Sequence, residues 1–172
     1  MSGELGDISL CYTVTFNRKS KHSAKRVWSA ITNPREIGEW MGYPARVDLR
    51  VGGDWYVDFA GTNDGALPGV IVRVEPERTL AYVWGLSVVE WTLTDAPGGC
   101  SYRFVQAGLA DRGADADEEG LSAGWHNFLD QLDRHLDGIH RTAAERMEEW
   151  LRLKPTYRER LDRVLVPRRM SR

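Results

Sequence analysis

Residues 79–106, TLAYVWGLSVVEWTLTDAPGGCSYRFVQ, decide how this chain folds. Three runs alternate there between apolar and polar residues. Leu80, Tyr82 and Trp84 share one face, as do Val89, Trp91 and Leu93, and then Tyr102, Phe104 and Gln106. A two-residue period marks strands with one buried and one wetter face, and Pro97-Gly98-Gly99 supplies a turn between the last two. The pattern continues upstream. ARVDLRV (45–51) runs into Gly52-Gly53, which reads as a hairpin turn, and DWYVDFA puts Trp55, Val57 and Phe59 together. GTNDGALPG (61–69) reads as loop, and GVIVRVEP then aligns Val70, Val72 and Val74 before Pro76 ends the run. Connections this short leave no room for crossover helices, so the strands form an antiparallel meander.

Helices flank the meander. LCYTVTFNR (10–18) reads as a first strand, and Ser23 then caps SAKRVWSAIT, where Val27, Trp28 and Ile31 recur at helical spacing. Asn33-Pro34 stops that helix and starts a second short one through Glu39-Trp40. After an acidic loop (111–119) comes the longest clear helix, GLSAGWHNFLDQLDRHLDG. Its stripe is Leu121, Trp125, Phe128, Leu129, Leu132 and Leu136, with Gly138 as a C-cap. The remainder, residues 139–172, reads as two helices broken at Pro155. Curving the sheet around the long helix buries both apolar faces. The expected architecture is α+β: a curved antiparallel sheet of six or seven strands around a long C-terminal helix. Two short helices follow the first strand, and a helical tail is appended.

Composition bounds what such a chain does. It has 172 residues, 42% hydrophobic and 28% charged, with 7 Trp and 17 Gly. At this length a chain buries about 70% of its unfolded surface, enough for a core without staples. No apolar run approaches the roughly 18 residues of a membrane span, and the first residues, MSGELGDISL, show no secretory pattern. Cys11 and Cys100 form neither a CxxC pair nor a disulfide framework, so two reduced thiols in a cytoplasmic protein are expected. Residues 1–137 carry 13 basic and 20 acidic side chains, and residues 138–172 carry 10 and 5. An acidic body argues against nucleic-acid binding.

The chain lacks GxSxG, HExxH, Walker and GxGxxG patterns, and no metal or cofactor is expected. His126 and His135 flank the stripe of the long helix about 13 Å apart along its axis, too far for one metal, and read as helix-flank histidines. Glu90 and Asp58 fall on the outward faces of their strands, so no carboxylate pair forms there. Aromatic residues dominate the facing surfaces. The set expected to line the space between sheet and helix is Trp55, Val57, Phe59, Val72, Tyr82, Trp84, Trp91, Tyr102, Phe104, Gln106, Trp125, Phe128, Leu129 and Leu132. Trp40 and Met41 are expected at its mouth, as a gate or as ordinary core. Rings of this size either fill that space or line a pocket. Gln106 and Tyr82 are the inward polar groups, suited to orient an apolar ligand or to make structural hydrogen bonds, Gln106 with a nearby backbone group and Tyr82 with whatever partner its buried phenol finds.

Five pieces in order carry a family resemblance: SAKRVWSAITNPREIGEWMG, VGGDWYVDF, VEPERTLAYVW, LTDAPGGCSYRFVQAGL and GWHNFLDQLDRHL. Over Val14 to Asp137 they resemble the START-like (SRPBCC) superfamily, in the branch of activator-of-heat-shock-ATPase homologues. The resemblance implies a helix-grip fold with a cavity between the long helix and the concave sheet. Members bind lipids, steroids, polyketides or other hydrophobic molecules, and a few are cyclases or hydrolases. The expected division is a START-like domain at 8–138 and a helical extension at 139–172. The expected function is binding of a small hydrophobic molecule without catalysis. The alternatives are a co-chaperone-like or regulatory interaction module and a polyketide-cyclase-like enzyme, and the tail is expected to pack back on its own body, to pair with a second copy or to reach a partner protein.

Overall fold

The computed structural model describes residues 7–8, 13–59, 65–85, 87–108 and 120–169. The sequence reading of the acidic loop at 111–119 and of Cys11 falls outside these residues. Eight antiparallel strands form one open, curved sheet. In chain order they are β1 (Asp7–Ile8), β2 (Val14–Ser20), β3 (Ala45–Val47), β4 (Asp54–Phe59), β5 (Gly65–Glu75), β6 (Thr79–Trp84), β7 (Ser87–Ala96) and β8 (Gly99–Ala107). Across the sheet the order is β1-β2-β8-β7-β6-β5-β4-β3. The meander from β3 to β8 is therefore sequential in space, and β2 closes onto β8 with Phe16 opposite Phe104. Seven strands match the expectation, and the eighth is the two-residue β1 at the edge.

Between β2 and β3 lie α1 (Ala24–Thr32) and α2 (Pro34–Met41). Ser23 caps the first, its hydroxyl accepting from the Arg26 amide at 3.3 Å. Asn33 ends α1 and caps α2, its side-chain oxygen accepting from Arg35 and Glu36 amides, with Pro34 in the first turn. The long helix α3 (Leu121–Leu136) ends on Gly138 in the left-handed conformation, φ 72°. The Gly138 amide donates to the His135 carbonyl and the Ile139 amide to that of Arg134, the paired bonds of a Schellman ending.

Two expectations fail on β5. It begins at Gly65, so residues 65–69 are strand rather than loop. Pro68 fits because β5 overshoots β6 at that end. Pro68 pairs with Tyr56 of β4, and pairing with β6 starts only at Gly69. The second failure is the face. Ile71 opposes Tyr82 and Arg73 opposes Ala81, so Val72 is the extra residue of a bulge. Ile71 is fully buried, whereas Val70 and Val72 are each 47% exposed. Val72 is thus outside the interior, because a single inserted residue shifts the alternation phase.

The tail differs as well. Residues Ala143–Arg169 form one helix, α4, that runs through Pro155 without a break. Pro155 and Leu151, whose carbonyl loses its helical partner to the proline, both face solvent. On this exposed side of the helix the missing bond costs least, so the helix need not end. α4 packs on its own chain. Leu153, Tyr157 and Leu161 are buried, the Trp150 indole donates to the Gly120 carbonyl at 3.1 Å, and Arg134 of α3 grips Glu149 through two 2.7 Å bonds.

Candidate functional site

The concave face of the sheet and the inner stripe of α3 meet through rings. Trp125 of α3 lies 4.1 Å from Phe104 and 5.6 Å from Trp84, centroid to centroid. Trp91 meets Phe104 edge-on at 4.9 Å. Trp55 and Tyr82 stack at 4.1 Å and 11°, reaching each other across β5. Gly69, opposite Trp55 on one side and Trp84 on the other, lets the three backbones keep their spacing: a Cβ there would come within 2.5 Å of the Trp55 carbonyl oxygen and 2.8 Å of Val83's. Val57, Leu129 and Leu132 are fully buried among these rings.

The aromatic layer thins at one end. Phe128 of α3 is only partly buried and lies 6.5 Å from Phe59 and from Trp40. Partly buried Tyr43 meets Phe59 at 4.7 Å. Trp40 and Met41 do not form an exposed mouth. Both are buried, the Trp40 indole donates to the Ala30 carbonyl at 2.9 Å, and its ring meets Trp91 edge-on at 6.4 Å. Trp40 and Met41 are ordinary core, the second of the two sequence readings, and Tyr43, next in line after the α2 cap, is the partly buried ring at this end.

Gln106 and Tyr82 point inward as their alternation requires. Gln106 is already engaged on both sides, donating to the Ser87 hydroxyl at 2.8 Å and accepting from the Trp125 indole at 2.5 Å. The Tyr82 hydroxyl accepts from the Trp91 indole at 3.5 Å, and burial pushes its phenol well above the ordinary range, so it stays protonated.

A polar cluster that sequence reasoning missed lies at the β2–β8 end of the same concave face. Arg18, inward by alternation with Val14 and Phe16, bonds Asp130 and, at 3.0 Å, Asp133. Tyr102 donates to Asp133 at 2.8 Å. Burial pushes both the Asp133 carboxyl and the Tyr102 phenol up. His126, treated as a helix-flank residue from sequence, is 1% exposed: α4 covers the outer side of α3, and Tyr157 OH sits 2.8 Å from His126 Nδ1. His135 is buried too, 2.9 Å from Glu36 of α2. Strand alternation on β2, together with the i, i+3 spacing of Asp130 and Asp133, was the available signal.

Burial holds the His126 imidazole below its usual 6.5. The groups facing it are Asp130 on its own helix, Arg18 of β2, and Tyr157, Glu149 and Arg152 of α4. A base that binds its proton less tightly when folded contributes its full share of stability above pH 6.5 and loses it as pH falls below that value. Asp133, raised above the ordinary 3.8 when folded, acts oppositely: its contribution rises as pH falls through its folded value toward 3.8. The urea midpoint should therefore drop more between pH 7.5 and 5.5 in the wild type than in His126→Phe. Equal drops would rule out His126 as the source.

Among the described residues no group of three or more His, Cys, Asp or Glu is placed to hold a metal ion. No helix among them is long and apolar enough to cross a membrane. The family model described as "Activator of Hsp90 ATPase homolog 1-like protein" matches residues 21–137. The chain belongs to this family. The activator-homologue match spans α1 through the end of α3 and so takes in both faces of the aromatic interior. Among solved structures, a Mesorhizobium loti protein is 30% identical, with a TM-score of 0.65, over 75% of this chain and 99% of that one. CalU16 from Micromonospora echinospora is 25% identical, TM-score 0.68, over 87% and 88%. An Enterococcus faecalis protein described as of unknown function, 17% identical, shares the fold with a TM-score of 0.73 over 92% and 90%. The first 138 residues are four-fifths of the chain, so this last match reaches into α4. No curated protein matches the chain.

Proposed function

We propose that this activator homologue binds a small hydrophobic molecule between α3 and the concave sheet, and that it does so without catalysing a reaction on it. The observation that carries the reading is the continuous run of rings from partly buried Phe128 and Tyr43 through Phe59, Trp84 and Trp125 to Phe104 and Trp91. A ligand entering at Phe128 exchanges ring–ring contact for ring–ligand contact; apolar area leaving water favours it by about 25 cal/mol per Å², and the affinity is what remains after the cost of association. Membership of the family supports this use of the interior. Binding is favoured over catalysis because the buried titratable groups are tied to one another: Arg18 to Asp130 and Asp133, Tyr102 to Asp133, and, under α4, His126 to Tyr157.

Calorimetric titration with 2-ethylnaphthalene tests the reading. Saturable one-to-one binding with a negative heat-capacity change is expected. Absence of binding up to the solubility of the probe would overturn it.

A further inference from the structure

Three of the buried indoles have acceptors, and that of Trp55 has none among the described residues. The N–H groups of Trp40, Trp91 and Trp125 donate to the Ala30 carbonyl, the Tyr82 hydroxyl and Gln106 Oε1. Trp55 Nε1 is buried and finds no acceptor among the described residues, although the residue as a whole is 2% exposed. Neighbouring rings hold the indole in place: Tyr82 stacks on one face at 4.1 Å and Trp84 meets it edge-on at 5.4 Å. An unpaired N–H held in an apolar interior costs more than an ordinary hydrogen bond contributes, so such a group calls for a partner.

We infer that Trp55 Nε1 is the hydrogen-bonding anchor for the bound molecule, donating to a neutral oxygen on an otherwise apolar ligand. This rests on the binding reading above and adds the chemistry that the ligand must carry. A neutral carbonyl, ether or hydroxyl oxygen fits better than a carboxylate. Trp55 offers one uncharged donor, and the buried guanidinium of Arg18 is committed to Asp130 and Asp133. Gln106, the polar group that alternation singled out, has both ends of its amide in use and is not the anchor.

Two probes of nearly the same shape separate the anchor from the pocket: 2-acetylnaphthalene, which carries a carbonyl, and 2-ethylnaphthalene, which does not. Each is titrated into wild type and Trp55→Phe, following intrinsic tryptophan fluorescence. A neutral hydrogen bond corresponds to roughly five- to tenfold in affinity. Trp55→Phe should therefore weaken the acetyl probe about five- to tenfold more than the ethyl probe. Equal weakening of both would overturn the anchor while leaving the binding reading standing. Failure of the wild type to bind either probe would overturn both. A nitrogen-15 spectrum of the wild type decides the matter without the variant. The Trp55 indole proton should move farther downfield with the acetyl probe than with the ethyl probe, and a resonance that moves no farther downfield at saturation with the acetyl probe would contradict the assignment.

Discussion

Arg18→Ala is expected to lower the free energy of unfolding by about 3–5 kcal/mol at neutral pH, the range for breaking a buried ion pair by removing one partner. The Arg18 side chain is 3% exposed and that of Asp130 9%. Removing the guanidinium leaves Asp130 buried without its cation and takes from Asp133 the partner that opposes its desolvation. The deficit should shrink as pH falls, because a protonated carboxylic acid tolerates burial better than a carboxylate. A matched variant separates the charge from the fold. Replacing Arg18, Asp130, Asp133 and Tyr102 together by Met, Leu, Leu and Phe should recover most of the loss, since well-packed apolar groups substitute for a buried pair at little cost and no hydroxyl is left without its acceptor. Urea denaturation of both variants at two pH values checks each point. A single-variant loss below about 1 kcal/mol would place the cluster among exposed pairs, which contribute that little.

Trp125→Ala is expected to cost about 3–5 kcal/mol as a large-to-small core substitution. It also takes the donor away from Gln106 Oε1, leaving a buried amide oxygen unpaired. The same ring joins α3 to β8 through Phe104, to β6 through Trp84 and to Phe128 on the next turn. Trp125→Phe should lie between wild type and alanine, retaining part of the ring contact while losing the N–H. Thermal unfolding followed by near-ultraviolet circular dichroism reads both the loss and the aromatic packing. An alanine variant as stable as the wild type would mean that α3 does not hold the sheet through this ring.

The strand and helix elements were legible because their periods are local. Trp55, Val57 and Phe59 on β4, and Val89, Trp91 and Leu93 on β7, are buried as two-residue alternation requires. Val72 misled because a bulge is a relation between two strands, and the residues of β5 alone do not announce it. Pro155 misled for a related reason. A proline breaks a helix most readily where its freed carbonyl is shut away from water, and here Pro155 and Leu151 are exposed residues. His126 and Asp130 were hidden because the apolar stripe of α3 implies one buried side, whereas α4 and β2 bury others. Aromatic content identified the facing surfaces, but the pairing of donors with acceptors needed coordinates. Gln106 and Tyr82 stood out in the sequence as polar residues on apolar faces. Trp55 did not, because an indole reads as apolar until its N–H is placed.

The central claim is that an apolar molecule is held between α3 and the concave sheet, and the indole resonances of nitrogen-15-labelled tryptophan test it most directly. Saturation with 2-ethylnaphthalene should shift the signals of Trp55, Trp84 and Trp125, which line the interior, and leave that of Trp150, packed at the α3–α4 contact, in place. A spectrum in which Trp150 alone responds, or in which the three interior signals stay fixed while the probe is bound, would contradict the account.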